Sequence, residues 1–150
     1  MKKIYQFQHV QLKVVREAEA PLYAVKSSKD VFDFITGQTD WDRANGQEFA
    51  HLICLSRDNR VLAVHEVSVG GFNSTVLDPK VVYVTALLAA ASAIIIVHNH
   101  PSGNLNPSHE DCRITKKLFE AGRNLDLPLI DHLIVTQQGY YSFADEGTLG

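Results

Sequence analysis

The chain has 150 residues, 45% of them hydrophobic and 21% charged, with a formal net charge of -3. That size and balance suit one globular domain with a real core. The mild acidity speaks against a broad basic field for nucleic acid. Two cysteines, Cys54 and Cys112, form neither a disulfide framework nor a CxxC pair, which fits a reducing cytoplasm. The opening residues Met1-Lys2-Lys3-Ile4-Tyr5-Gln6 turn polar before a signal-peptide apolar region can form. The longest apolar stretch, residues 86–97, is too short to span a bilayer. A cytoplasmic protein with no membrane partner is expected.

Residues 4–15 alternate loosely between apolar and polar and predict a strand near an edge, with residues 16–26 as connector. Ser27 or Ser28 is placed to cap a short helix. Val31, Phe32 and Ile35 form its apolar stripe, and Gly37 stands where a C-cap glycine belongs. Residues 38–46 are polar and read as a loop, with the sole tryptophan, Trp41, packing over the core. Residues 49–56 and 61–69 are strand candidates, joined as a hairpin by Arg57-Asp58-Asn59-Arg60 and closed by Gly70-Gly71. Asp78-Pro79 starts a helix that the pattern carries to about Ser92, with Val82, Ala86, Leu87 and Ala90 facing inward.

A strand over residues 93–98 follows, then a turn-rich loop, then a helix over residues 108–124. Ile114, Leu118, Ala121 and Leu125 fall at helical spacing on it. Residues 129–136 predict another strand, Gln138-Gly139 a turn, and residues 140–143 a last short strand. Strands and helices interleave, so the class is α/β or α+β, with a central sheet covered by helices.

The chemistry gathers where the strand of residues 93–98 ends. His98 and His100 stand at i and i+2, so both project from one face. Asp111 lies one turn into the next helix and can join them. Two imidazoles and a carboxylate are three protein ligands, and a catalytic zinc typically keeps its fourth position for water. Ser108-x-x-Asp111 also scans as a helix-capping box, a role compatible with Asp111 reaching the metal. The other histidines, including His9, His51, His65 and His109, have no such partner spacing and read as structural or surface residues. A metal-dependent hydrolase also needs a proton shuttle. Glu66, on a strand near Gly70-Gly71, is the leading candidate. Glu48, at the entry of the preceding strand, is its competitor, and spacing does not choose between them. Asp131 or His132 could orient a ligand histidine, or form a polar pair at a strand edge. Cys112 reads as a small packing residue out of register with Asp111.

His98-x-His100, seven residues, Ser108, two residues and Asp111 together resemble the signature of JAMM (JAB/MPN-type) metalloenzymes. Residues 98–108, with Asp131-His132 and residues 141–147, resemble the RadC branch, and the likeness runs from about Gln47 to Gly147. The resemblance implies a cytidine-deaminase-like α/β fold, a mixed central sheet flanked by helices. It implies one Zn²⁺ per chain on His98, His100 and Asp111, with Glu66 as general acid/base and Ser108 stabilising the oxyanion. JAMM enzymes hydrolyse peptide or isopeptide bonds, and RadC members carry a DNA-repair description. Longer RadC proteins have an N-terminal helix-hairpin-helix segment. The residues here show no glycine-centred hairpin of that kind, so a single domain over residues 1–150 is expected.

Three rivals are weighed. An HNH-type nuclease matches only the tripeptide His98-Asn99-His100. A nucleobase deaminase lacks its H-x-E and P-C-x-x-C elements. A non-catalytic metal-binding module serving DNA repair or recombination machinery is the principal alternative.

Overall fold

The structure is a computed structural model, and it describes residues 22–70 and 77–150. Among the described residues, nine elements follow one another: α1 (Ser28–Thr36), α2 (Trp41–Ala44), β1 (Phe49–Leu55), β2 (Val61–Val69), α3 (Pro79–Leu88), β3 (Ala93–Asn99), α4 (His109–Asn124), β4 (Leu129–Val135) and β5 (Tyr140–Ser142). The strands form one mixed sheet in the order β2-β1-β3-β4-β5. β1 runs antiparallel to both β2 and β3, β3 runs parallel to β4, and β4 is antiparallel to β5. The parallel pair needs a long crossover, and α4 supplies it. The α/β class with a mixed sheet and flanking helices is therefore observed.

β3 is the centre of the sheet and is buried along its whole length. Its run Ile94-Ile95-Ile96-Val97 is β-branched throughout because both faces are covered. Side chains alternate. Ile95 and Val97 join Ile53, Leu55, Leu133 and Val135 beneath α1, which contributes Val31 and Ile35. Ile94 and Ile96 join Leu52, Cys54 and Leu129 beneath α3 and α4, which contribute Val82, Tyr83, Ala86, Ile114 and Leu118. Each such large side chain removed from water stabilises the fold by about 1.5–3 kcal/mol before entropy is counted. The Tyr83 hydroxyl, 2.6 Å from the Leu118 carbonyl, donates to it and ties α3 to α4.

The helix ends obey local rules. Ser27 caps α1 with a full capping box through Asp30, and Asp78 caps α3 with Pro79 at its first position. Gly37 ends α1 but stays in the right-handed region at φ -66°, its N–H donating to Asp33 O. The hairpin between β1 and β2 turns through Asn59, at φ 57°, in the left-handed region that asparagine tolerates.

Several expectations need correction. Residues 38–46 are not all loop: Asp40 caps the single helical turn α2, its carboxylate accepting from Arg43 N. Trp41 begins that turn and does pack against the α1-side core. α3 stops at Leu88, not Ser92, and Ala90 beyond it takes φ 54°. Its inward stripe is Val82, Tyr83 and Ala86, so Leu87 and Ala90 face outward. On α4 the buried row is Ile114, Thr115, Leu118 and Gly122; Leu125 lies past the helix end and is exposed. The strand expected over residues 4–15 lies outside the described residues, as does the connector up to residue 21. Among the described residues, no helix is long and apolar enough to cross a membrane.

Candidate metal centre

The sheet's period of two builds the site. His98 follows Ile94 and Ile96 onto the α3/α4 face, and His100 follows His98 one step beyond the strand. The Nε2 atoms of His98 and His100 lie 2.9 Å apart. A turn through Gly103, at φ 80°, brings the chain round to α4. There the His100 ring is fixed from behind: its Nδ1 is 2.6 Å from the Asn104 carbonyl. A carbonyl only accepts, so Nδ1 carries a proton, and whenever the ring is neutral its Nε2 lone pair is the one turned toward His98.

Ser108 is the N-cap of α4, and both halves of its capping box form. Asp111 N donates to Ser108 Oγ at 3.0 Å, and Ser108 N donates to Asp111 Oδ2 at 2.7 Å. The same carboxylate meets the histidines. Asp111 Oδ1 is 3.2 Å from His98 Nε2, and Asp111 Oδ2 is 3.3 Å from His100 Nε2. Capping and convergence are thus performed by one side chain. Glu48 completes the ring of donors, its Oε1 3.9 Å from His98 Nε2. Glu48, His98 and His100 offer ligand atoms within 4.8 Å of one another and could hold a metal ion.

These separations fit a small cation. Tetrahedral ligands at Zn–N and Zn–O lengths of 2.0–2.1 Å stand roughly 3.3–3.4 Å apart. The distances among His98, His100 and Asp111 lie close to that, and Glu48 stands further off.

Electrostatics follow from crowding. Burial alone would raise the Asp111 carboxyl, but hydrogen bonds with His100 and His98 outweigh it and hold the group well below the usual carboxylate range. For His100, burial works against the charged ring, while Asp111 and the Asn104 carbonyl favour it and the net shift is upward. Burial pushes Glu48 up, against the pull of His98 and His100. The cleft over the cluster is lined by Glu48, Leu77, His98, Glu110, Asp111, Ile114 and His132.

Glu66 is not in this cleft. On β2 it pairs with His51, whose partner on β3 is Val97, and this places Glu66 on the sheet face opposite His98. Its two carboxylate oxygens each lie 3.4 Å from an Arg43 guanidinium nitrogen, and one is 3.8 Å from His51 Nε2. The structure therefore separates Glu66 from the histidines and brings Glu48, its competitor, to them.

Asn99 does what no spacing rule signalled. Pointing away from the two histidines, its Oδ1 accepts from Phe49 N at 2.7 Å. Its Nδ2 donates to the carbonyls of Ala44 at 2.7 Å and Gln47 at 2.9 Å. These bonds hold the segment that carries Glu48, and Gly70 N, just past the end of β2, donates to the Glu48 carbonyl at 2.9 Å.

Asp131 and His132 part company. Asp131 accepts from His132 N, Ser142 Oγ and Ala144 N, and so staples the final turn to β4. His132 is fully buried and stacks on Phe143, with ring centroids 4.9 Å apart. Its Nε2 lies 2.8 Å from His98 Nδ1 and its Nδ1 lies 2.6 Å from Thr115 Oγ1. Burial disfavours the charged ring and drives its pKa well below the ordinary value. Cys112 is exposed and takes no part in the cluster.

The chain is similar to known proteins over most of its length. The RadC-like JAB domain family model matches residues 25–148. A UPF0758 protein of Flavobacterium johnsoniae is 41% identical over 126 residues, 84% of this chain and 54% of the relative. One from Thermotoga maritima is 38% identical over 134 residues, 89% of this chain and 59% of the relative. One from Alkaliphilus metalliredigens is 36% identical over 127 residues, 85% of this chain and 53% of the relative. The chain thus spans about half the length of the curated relatives it matches. With that match over most of its length, and the histidine pair set against the capping aspartate of α4, the chain belongs to the RadC-like JAB domain family.

Proposed function

We propose that this domain is a zinc-dependent metallohydrolase that cleaves a peptide or isopeptide bond. The observation that carries the reading is the convergence of His98 Nε2, His100 Nε2 and the Asp111 carboxylate within 3.3 Å of one another in pairs, beside a cleft that His98 and Asp111 line. Two imidazoles and one carboxylate are the donor set of a catalytic zinc that keeps a position open, although such donors also accept Mn²⁺ or Fe²⁺. Such a cation, when bound, acidifies water and polarises a carbonyl.

The chain's own groups do the rest. Glu48 stands beside the donors without closing on them, at 3.9 Å from His98. Its carboxylate takes the proton of the attacking water and passes it to the leaving nitrogen. Burial raises its pKa, which makes it a stronger base than an exposed glutamate. Ser108 Oγ accepts from Asp111 N and still has its own O–H to donate. That proton stabilises the negative oxygen that develops on the substrate carbonyl. Leu77 and Ile114 give the cleft an apolar wall against which a substrate chain packs.

The test combines metal content with turnover. Elemental analysis of the purified chain should find one zinc per molecule, lost in His98→Ala. A library of peptide and isopeptide substrates should then be cleaved by the wild type and not by Glu48→Gln with its zinc retained. Stoichiometric zinc with no turnover across the library would favour a metal-binding interaction module. Its link to nucleic acid would be read from salt-dependent binding to single- and double-stranded DNA.

A further inference from the structure

We propose that His132 and Thr115 form a buried proton chain that sets whether His98 Nε2 offers the metal a lone pair, with His132 as a positioning residue. The inference rests on the metal reading above.

The chain has four members in series. His98 Nδ1 meets His132 Nε2 at 2.8 Å, His132 Nδ1 meets Thr115 Oγ1 at 2.6 Å, and Thr115 Oγ1 meets the Asp111 carbonyl at 2.6 Å. It begins on one proposed ligand and ends on the backbone of another. His132 is wholly buried, so its ring nitrogens have no solvent to turn to.

Counting protons leaves little choice. A neutral imidazole has one N–H and one lone pair, and a hydroxyl has one proton to give. If His98 gives its Nε2 lone pair to a cation, its proton must sit on Nδ1. That proton points at His132 Nε2, which must accept it. The remaining His132 proton then sits on Nδ1 and is donated to Thr115 Oγ1. The Thr115 proton goes to the Asp111 carbonyl, which only accepts. Every member is satisfied in this one sense.

The opposite sense reverses each bond ahead of the carbonyl. Thr115 donates to His132 Nδ1, His132 Nε2–H donates to His98 Nδ1, and the His98 proton sits on Nε2. In that arrangement His98 Nε2–H points at Asp111 Oδ1, 3.2 Å away, and has no lone pair for a cation. Metal uptake therefore selects the first sense, and the state of His98 is coupled to a ring that itself touches no metal. A residue that only filled space beneath His98 would have no preferred tautomer. Here the shape of the site dictates one, and it is the Nδ1–H form of His132. The polar partner of a ligand histidine fixes its orientation and typically changes metal affinity by about 10–100-fold.

The experiment uses the full chain with and without added zinc chloride. Long-range ¹⁵N correlation spectra of histidine-labelled protein read the tautomer of each ring. In the zinc-loaded wild type, His132 should carry its proton on Nδ1. Competition against a chromophoric chelator reads affinity. His132→Leu should weaken zinc by about 10–100-fold, and His132→Gln, which keeps an acceptor for His98, should recover most of the loss. Thr115→Val, which keeps the shape and removes only the hydroxyl, should weaken zinc and shift the His132 proton toward Nε2. It serves as the test if His132→Leu does not fold.

The Nε2–H form of His132 in the zinc-loaded wild type would overturn the proposal. So would a Thr115→Val chain with wild-type affinity and tautomer, or a His132→Gln chain as impaired as His132→Leu. A wild type that takes up no zinc would overturn the metal reading itself, a result distinct from wild-type uptake that the variants leave unchanged.

Discussion

Asn99→Asp changes one NH₂ group to an oxygen and leaves the rest of the side chain in place. The acceptor for Phe49 N survives. The donor that now reaches the Ala44 and Gln47 carbonyls, at 2.7 Å and 2.9 Å, is replaced by an oxygen that faces two other oxygens. Each carbonyl left without its donor costs about 1–3 kcal/mol, so the pair costs roughly 2–6 kcal/mol at neutral pH. Protonating the introduced carboxyl restores one donor and removes the charge. Its folded pKa is therefore raised above the unfolded value of about 3.9. For an acid with a raised folded pKa, the native state holds the proton longer than the unfolded chain does, so stability falls as pH rises. The gap to wild type should widen from about pH 4 to neutrality, beginning at the unfolded pKa and levelling off above the folded one. Urea unfolding of both proteins at an acidic and a neutral pH measures that gap. A variant within about 0.5 kcal/mol of wild type at neutral pH would refute the reasoning, because a surface change costs no more than that. So would a gap that is the same at both pH values.

Glu48→Gln should lower any hydrolysis by about two orders of magnitude or more, while Glu66→Gln, whose side chain faces Arg43 and His51, should leave it little changed; side-by-side rates on the cleaved substrate decide. Gly122→Ala gains about 1 kcal/mol of helix propensity. Its new Cβ would stand 2.5 Å from the Leu127 carbonyl oxygen and 2.7 Å from Tyr83 Oη. That crowding costs about 1–3 kcal/mol, so thermal melting should show net destabilisation; an equal or higher Tm would refute it. Burial pushes the Cys54 thiol up to about 11, while Cys112 is exposed. A thiol reagent at mildly alkaline pH should therefore titrate a single cysteine in the native chain and the second only in denaturant, and rapid labelling of both without denaturant would contradict that burial.

Much of this site can be read from the chain alone, and the reason is periodicity. Strand alternation puts His98 and His100 on one side, and the Ser108-x-x-Asp111 box places a carboxylate at a helix start whatever the tertiary fold. Both devices are local, so they survive translation into three dimensions. The acid that stands beside them is not local. Choosing between Glu48 and Glu66 requires knowing that β1, not β2, lies beside β3, and which face each residue takes. A register shift between Ala50 and His51 interrupts the simple count of alternation between β1 and β2. The turn of α2 was illegible for a different reason: four residues are too few to show a period. Leu87 and Leu125 fit a helical spacing for different reasons: Leu87 lies within α3 but on its outward side, and Leu125 continues the stripe one residue past the end of α4, so both are exposed. Asn99 carried no signal because its partners are backbone atoms, which every residue possesses.

The tripeptide at the end of β3 assigns its two sides to different work, imidazoles upward and an amide clasp downward. Deleting or inserting a single residue upstream in that strand would rotate the tripeptide by half a turn, so that the amide faced the cleft and both rings the helix beneath. A two-residue change would preserve the sides but slide the rings about 6.6 Å along the sheet. Neither is repairable by side-chain adjustment. Relatives that keep the histidine pair and the asparagine between them should therefore almost never differ in the length of this strand.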